Sequence, residues 1–134
     1  FQHWVYTDAP EDVDADALDA KWAELWGRFM VGIDYSGLED IKETGWHRKR
    51  HIFLSPFYYL EYGMAQVGAL QLWQNARRDD RQALADYQQA LALGGTRSLP
   101  ELFETAGLRF QFDRAMLRDL MMDIMQEMGA LEAA

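Results

Sequence analysis

The sequence predicts an all-α fold of about six or seven helices. Three observations carry that expectation. Apolar residues recur at three- and four-residue spacing through most of the chain. No segment sustains the period-2 alternation of a half-buried strand. Capping residues and glycines fall where the periodic segments begin and end. The 134 residues, 49% hydrophobic and 26% charged, match an ordinary globular composition and suffice for a real core. A single helical unit spanning residues 1–134 is therefore expected.

Phe1–Thr7 is short and aromatic, and it reads as the end of an element that begins upstream. Asp8 to Asp14, with Pro10, reads as a loop. Leu18, Trp22, Leu25, Trp26, Phe29 and Met30 then recur at helical spacing, which predicts an amphipathic helix over 14–31. Gly32 stands where that helix would stop. Asp34-Tyr35-Ser36-Gly37 predicts a turn, and 38–44 a short helix ending near Gly45.

Residues 46–54 are expected to be helical though weakly patterned. Ser55-Pro56 interrupts them, because a residue before proline avoids the α region and proline suits a first helical turn. A long central helix is predicted over 57–78. Gly63 and Gly68 each cost it roughly 1 kcal/mol of helix propensity, so a close approach by a neighbour is expected at both. Its apolar run, 57–73, contains Glu61, Gln66 and Gln71, and so predicts a buried core helix rather than a membrane span.

Asp79-Asp80 opens the next helix, with Leu84, Tyr87 and Leu91 on one face, and Gly94-Gly95 closes it. Ser98 and Glu101 have capping-box spacing, and the helix they start ends at Gly107. Asp113 caps a last helix with a predicted buried stripe of Leu117, Leu120, Met121, Ile124, Met125, Met128 and Leu131. There is no internal repeat and no low-complexity tract.

The net charge is −9, which disfavours nucleic acid and anionic membranes, since phosphate binding needs a cationic surface. The acidity is concentrated in residues 1–44, where eleven Asp and Glu face three Lys and Arg. A solvated acidic surface accounts for it. Without cysteine, disulfides, thiolate zinc sites and cysteine nucleophiles are excluded. That suits a cytoplasmic protein, and no basic and apolar leader pattern is visible.

Three groups of residues could carry chemistry. His47 and His51 are four apart, the spacing of zinc ligands on one helix face. A zincin also needs glutamate next to the first histidine, and here that residue is Arg48. Three adjacent cations would repel a metal dication, so no metal site is expected there. Leu93 to Ser98 is a glycine-containing turn before a helix, but it lacks the phosphate-loop lysine and spacing. A helix C-cap followed by an N-cap explains it.

The third group is His51 with Tyr58, Tyr59, Glu61 and Tyr62. On a helix, Tyr58 and Tyr62 share a face, and Tyr59 and Tyr62 also converge. Phenols and imidazoles are good donors to a developing oxyanion. Spacing alone favours a packed tyrosine cluster over a catalytic one. Glu61 needs a partner if buried, with Arg48 and Arg50 as candidates.

His51-Ile-Phe followed by Pro56-Phe-Tyr-Tyr-Leu-Glu-Tyr-Gly-Met-Ala-Gln resembles the C-terminal signature of oligoendopeptidase F, in the thimet oligopeptidase-like family of zinc metallopeptidases. Phe1-Gln-His-Trp, Val5-Tyr-Thr, Leu91-Ala-Leu-Gly-Gly and Ser98-Leu-Pro-Glu-Leu-Phe-Glu-Thr-Ala-Gly resemble it too, so the likeness covers nearly the whole chain. It favours the catalytic reading of the tyrosines.

The resemblance implies a mostly helical enzyme that hydrolyses short peptides in a deep channel, using zinc-bound water and a glutamate base. By that likeness His51, Tyr62 and Tyr59 would be catalytic, donating hydrogen bonds to the tetrahedral oxyanion, and Tyr58 would bind substrate. The thimet enzyme has glycine between its histidine and tyrosines, whereas residues 52–57 here contain none. HExxH and the third-ligand glutamate are also missing from this sequence. In the family they lie upstream of the point matching Phe1. The expectation is thus a C-terminal portion of the catalytic domain that is inactive alone and binds no zinc. Its partners would be oligopeptide substrates and the upstream part of the same enzyme. The alternative is a non-catalytic helical interaction or dimerisation module from a truncated paralogue, self-associating through exposed apolar faces.

Overall fold

A computed structural model describes residues 1–133. Among these are eight α-helices and no strand, the all-α fold the periodicity predicts. In order they are α1 (Gln2–Thr7), α2 (Ala15–Phe29), α3 (Glu39–Glu43), α4 (Arg50–Leu54), α5 (Tyr59–Arg78), α6 (Asp80–Leu93), α7 (Leu99–Thr105) and α8 (Arg114–Glu132). Two 3-10 turns, Thr44–Arg48 and Gly94–Thr96, complete the regular structure. The contacts gather into two compact units, Phe1–Leu60 and one beginning at Glu61.

The first unit is held by aromatic rings. Asp14 caps α2 by accepting the Ala17 N–H at 2.8 Å. That start sets Trp22 and Trp26 one turn apart, stacked with centroids at 5.4 Å. Phe1 meets Trp22 edge-on at 5.4 Å and Trp46 at 5.5 Å, and Trp46 stacks on Phe53 at 5.6 Å. Two of these half-buried indoles have side-chain acceptors, as indole N–H groups away from water require. Trp26 donates to the Tyr35 hydroxyl at 2.7 Å, and Trp46 to Asp19 Oδ1 at 2.6 Å. The predicted face of α2 is half-buried from Leu18 to Trp26, whereas Phe29 and Met30 at its end are exposed.

The short helix after the Asp34 turn ends at Glu43, close to Gly45 as expected. The chain then tightens into the 3-10 turn, and Gly45 is buried against the Trp22 indole, where an added Cβ would stand 3.0 Å from Nε1. Packing of Trp22, rather than chain termination, accounts for this glycine. The weakly patterned segment after it is not one helix either. Lys49, at φ −89° and ψ 80°, breaks it into the 3-10 turn and α4.

In the second unit α6 packs against α7. Phe103 of α7 lies over Gly68 of α5, where a Cβ would be 3.0 Å from its ring. The close approach expected at Gly68 is therefore present. The one expected at Gly63 is absent, since nothing among the described residues lies within 4 Å of a Cβ there. Phe103 also meets Phe110 edge-on at 5.1 Å, and Phe110 meets Phe112 at 5.1 Å. Gln71 is buried and exchanges both hydrogen bonds with the backbone of Arg109, at 3.1 and 3.0 Å.

The caps of α6, α7 and α8 stand where the sequence places them. Asp79 accepts the Gln82 N–H at 3.1 Å and Asp113 the Met116 N–H at 3.0 Å. Glu101 accepts from both Ser98 N and Ser98 Oγ, at 2.9 and 2.6 Å. Gly94 closes α6 with φ +53°.

The burial expected along three helices differs. Helix α5 buries only Gly68 and Gln71 among its described residues, not a whole apolar run, because its large side chains such as Leu60 and Trp73 point to exposed surface. Helix α6 buries Ala83 and Ala90, while Leu84, Tyr87 and Leu91 are exposed. Helix α8 buries Met116 and Leu120, with Leu117 and Ile124 half-buried; Met121, Met125, Met128 and Leu131 are exposed. In α5 and α6 the buried positions are glycine, alanine and Gln71. In α8 the buried residues lie in its first half, and Met121, Met125, Met128 and Leu131 of the predicted stripe face outward. No helix among the described residues is long and apolar enough to cross a membrane.

Candidate functional site

The turn between α4 and α5 assembles the candidate site. It spans residues 55–58, and its conformation follows from the Ser55-Pro56 pair, which ends α4. Tyr58 N–H bonds to the Ser55 carbonyl at 3.1 Å, and Leu60 N–H to the Phe57 carbonyl at 3.1 Å. The helix predicted from residue 57 thus starts at Tyr59. Tyr58 sits in the turn, immediately before the first residue of the helix.

The turn brings His51, Tyr58 and Tyr59 together. His51, half-buried on α4, stacks on the ring of Tyr58 with centroids 4.9 Å apart and 19° between planes. The Tyr59 ring stands at 87° to the imidazole, with centroids at 5.2 Å. Tyr62 is one turn along α5 from Tyr59 and belongs to the second unit. Tyr58, Tyr59 and Tyr62 all have exposed area. Glu61 is exposed rather than buried, so water solvates its carboxylate.

Beside Tyr59 is a cavity of about 320 Å³ with aromatic walls from Trp22 and Trp26; Lys49 and Gln2 also line it. The Lys49 ammonium lies 5.6 Å from the Trp26 ring centroid, a cation–π distance.

Phe57 has a left-handed φ of +65°. For a bulky side chain this is a sparsely populated conformation, costing about 1–3 kcal/mol. Its N–H donates to Gln2 Oε1 at 3.3 Å, and its ring lies 5.6 Å from that of Tyr6. Gln2 Nε2 is buried and has no hydrogen-bond partner among the described residues. The sequence reading missed Gln2, Tyr6 and the backbone of Phe57. Ser55-Pro56 was the available signal, since a proline-led turn can extend past one residue before a helix resumes.

His47 and His51 are separated by the Lys49 break, so they do not share a helix face. His47 Nε2 lies 3.5 Å from Asp19 Oδ1, and His3 Nδ1 lies 3.1 Å from Thr7 Oγ1. Among the described residues, no group of three or more His, Asp or Glu could hold a metal ion. The donors here do not fit a zinc centre.

The model of Peptidase family M3 matches residues 1–122. The chain belongs to peptidase family M3. Members are in general zinc enzymes, and membership supports a hydrolase function of the metallopeptidase type. No curated protein and no solved structure matches the chain. In an M3 chain, a half-buried imidazole flanked by two tyrosines is a donor group with the chemistry to bind a peptide carbonyl or its oxyanion.

Proposed function

We propose that this M3 chain is the C-terminal portion of the catalytic domain of an oligoendopeptidase F-like zinc metalloendopeptidase that hydrolyses short peptides. The carrying observation is the His51–Tyr58–Tyr59 grouping in a chain of this family. His51 and Tyr59 donate hydrogen bonds to the oxyanion of the tetrahedral intermediate, with Tyr62 as a third donor. Tyr58 orients His51 and binds substrate. Preorganised donors aimed at developing charge are the largest single contribution in many hydrolytic sites. The cavity beside Tyr59 has the room and the aromatic lining for an apolar side chain of the peptide.

In this reading the zinc is held by sequence upstream of Phe1, which also supplies the base, and both units belong to one catalytic domain. Oligopeptides are the substrates, and the enzyme is cytoplasmic, without nucleic acid or membrane partners. The 134-residue chain alone is inactive.

The test is turnover in the full-length enzyme. His51→Gln and Tyr62→Phe are each expected to lower kcat by about 10²-fold, the usual loss for one oxyanion donor. Normal kcat in both variants would reject these roles.

A second reading is a helical module that self-associates without catalysis. The exposed Met121, Met125, Met128 and Leu131 of α8 favour it, since apolar surface of this kind promotes association. Light scattering separates the two readings. A monomeric 134-residue chain would count against the module.

A further inference from the structure

We infer that Gln2 is a positioning residue for the site proposed above: acting through Phe57, it fixes the turn that sets Tyr58 and Tyr59 against His51. The inference rests on the reading of those aromatic groups as substrate- and oxyanion-binding.

The argument begins with the backbone. Phe57 is the non-glycine residue with a left-handed φ among the described residues, at +65°. A phenylalanine keeps such a conformation only where its surroundings over-determine it. Two contacts do so, and both come from α1. Gln2 Oε1 accepts the Phe57 N–H across 55 positions of sequence, and the Tyr6 ring lies against the Phe57 ring. Without them φ would relax toward the ordinary helical value, a rotation of roughly 130°. That rotation sits immediately before Tyr58, so it would carry the phenol away from the His51 face and turn the first residue of α5.

The second argument is the amide itself. Its nitrogen is buried without a partner while its oxygen serves Phe57. A buried donor left unmade is unfavourable. A purely structural site of this shape would be better filled by an apolar side chain of the same length. Gln2 is suited instead to a role that needs its oxygen.

Those two arguments give separable outcomes in the full-length enzyme. Gln2→Met keeps the length and removes both the acceptor and the unmade donor. It is expected to lower kcat about tenfold, with KM within about twofold and the thermal midpoint unchanged, because positioning rather than packing is lost. Gln2→Glu retains an acceptor for Phe57 and is expected to keep kcat within about threefold. Wild-type kcat in Q2M, or equal losses in Q2M and Q2E, would overturn the inference. If Q2M does not fold, Gln2→Asn withdraws the oxygen by one methylene and is judged by the same two results. His51→Gln in the same assay separates the two levels. A loss in H51Q with normal Q2M removes only the positioning role. Normal turnover in H51Q removes the oxyanion reading and this inference with it.

Discussion

His51 and Tyr58 stack face to face, with ring centroids 4.9 Å apart and 19° between planes. The two residues come from different elements, α4 and the turn before α5. A stacked phenol limits rotation of the imidazole about its Cβ–Cγ bond. Tyr59 limits it further by standing at 87° to the same ring. On the function proposed above, this holds the His51 N–H groups in one orientation before substrate binds, the condition under which a donor contributes most to a transition state.

The first prediction separates the face of Tyr58 from its hydroxyl. In the full-length enzyme, Tyr58→Phe keeps the stack and is expected to hold kcat while raising KM several-fold. Tyr58→Leu loses a ring contact worth about 1 kcal/mol and is expected to lower kcat by about five- to tenfold. Steady-state kinetics on one quenched fluorescent peptide reads both values. Equal kcat in the two variants would remove the orienting role.

Two glycines of α5 give opposite predictions. At Gly68 an added Cβ would be 3.0 Å from the Phe103 ring, and that ring is held by Phe110. Gly68→Ala is expected to destabilise by about 1–3 kcal/mol, the range for overpacking. At Gly63 a Cβ meets nothing within 4 Å, so Gly63→Ala is expected to stabilise by about 0.5–1 kcal/mol through helix propensity. Urea denaturation of each variant measures the difference. Stabilisation by Gly68→Ala would contradict the packing there, and destabilisation by Gly63→Ala would contradict the open space at that position.

Acid sensitivity should trace to the helix caps. The Glu101 carboxyl is held below its ordinary value by the Ser98 hydroxyl and N–H, and the Asp113 carboxyl by the Met116 N–H and the Gln111 amide. A carboxyl lowered in the folded state contributes stability that is complete above its unfolded pKa. That contribution is lost as pH falls through the lower folded value. Thermal midpoints should therefore drop as pH falls below the ordinary carboxylate range. Glu101→Gln and Asp113→Asn should make that acid limb shallower. An acid limb unchanged in the double variant would place the sensitivity elsewhere.

The same caps show what was legible in the sequence. Asp79, Ser98 with Glu101, and Asp113 act through hydrogen bonds to residues three positions on, so local sequence specifies them. The all-α class follows from periodicity for the same reason. Burial was less legible. Leu84 and Met125 have the spacing of a core stripe yet are exposed, because which face meets a neighbour is decided by distant chain. At the site, His51, Tyr58 and Tyr59 were identifiable as residue types close in sequence, but their ring geometry depends on a turn that spacing read as helix. Gln2 was not identifiable, since its contact with Phe57 spans 55 positions.

Gln71 supplies the last prediction, because it shows how a buried polar side chain holds a loop. It is 7% exposed, and its amide exchanges two hydrogen bonds with the Arg109 backbone. Arg109 leads into Phe110 and Phe112, the rings that pack with Phe103. Gln71→Met preserves volume and leaves one N–H and one carbonyl of Arg109 without their partner. Each unmade group of this kind costs about 1–3 kcal/mol, so a loss of about 2–4 kcal/mol is expected after partial rehydration of the loop. Gln82→Ala changes an exposed glutamine of α6 that bonds to Asp86 at 2.8 Å, and should stay within about 0.5 kcal/mol. Denaturant midpoints compare the two variants directly. Similar small losses would mean that water replaces Gln71 at Arg109 and that the aromatic rings alone hold the loop.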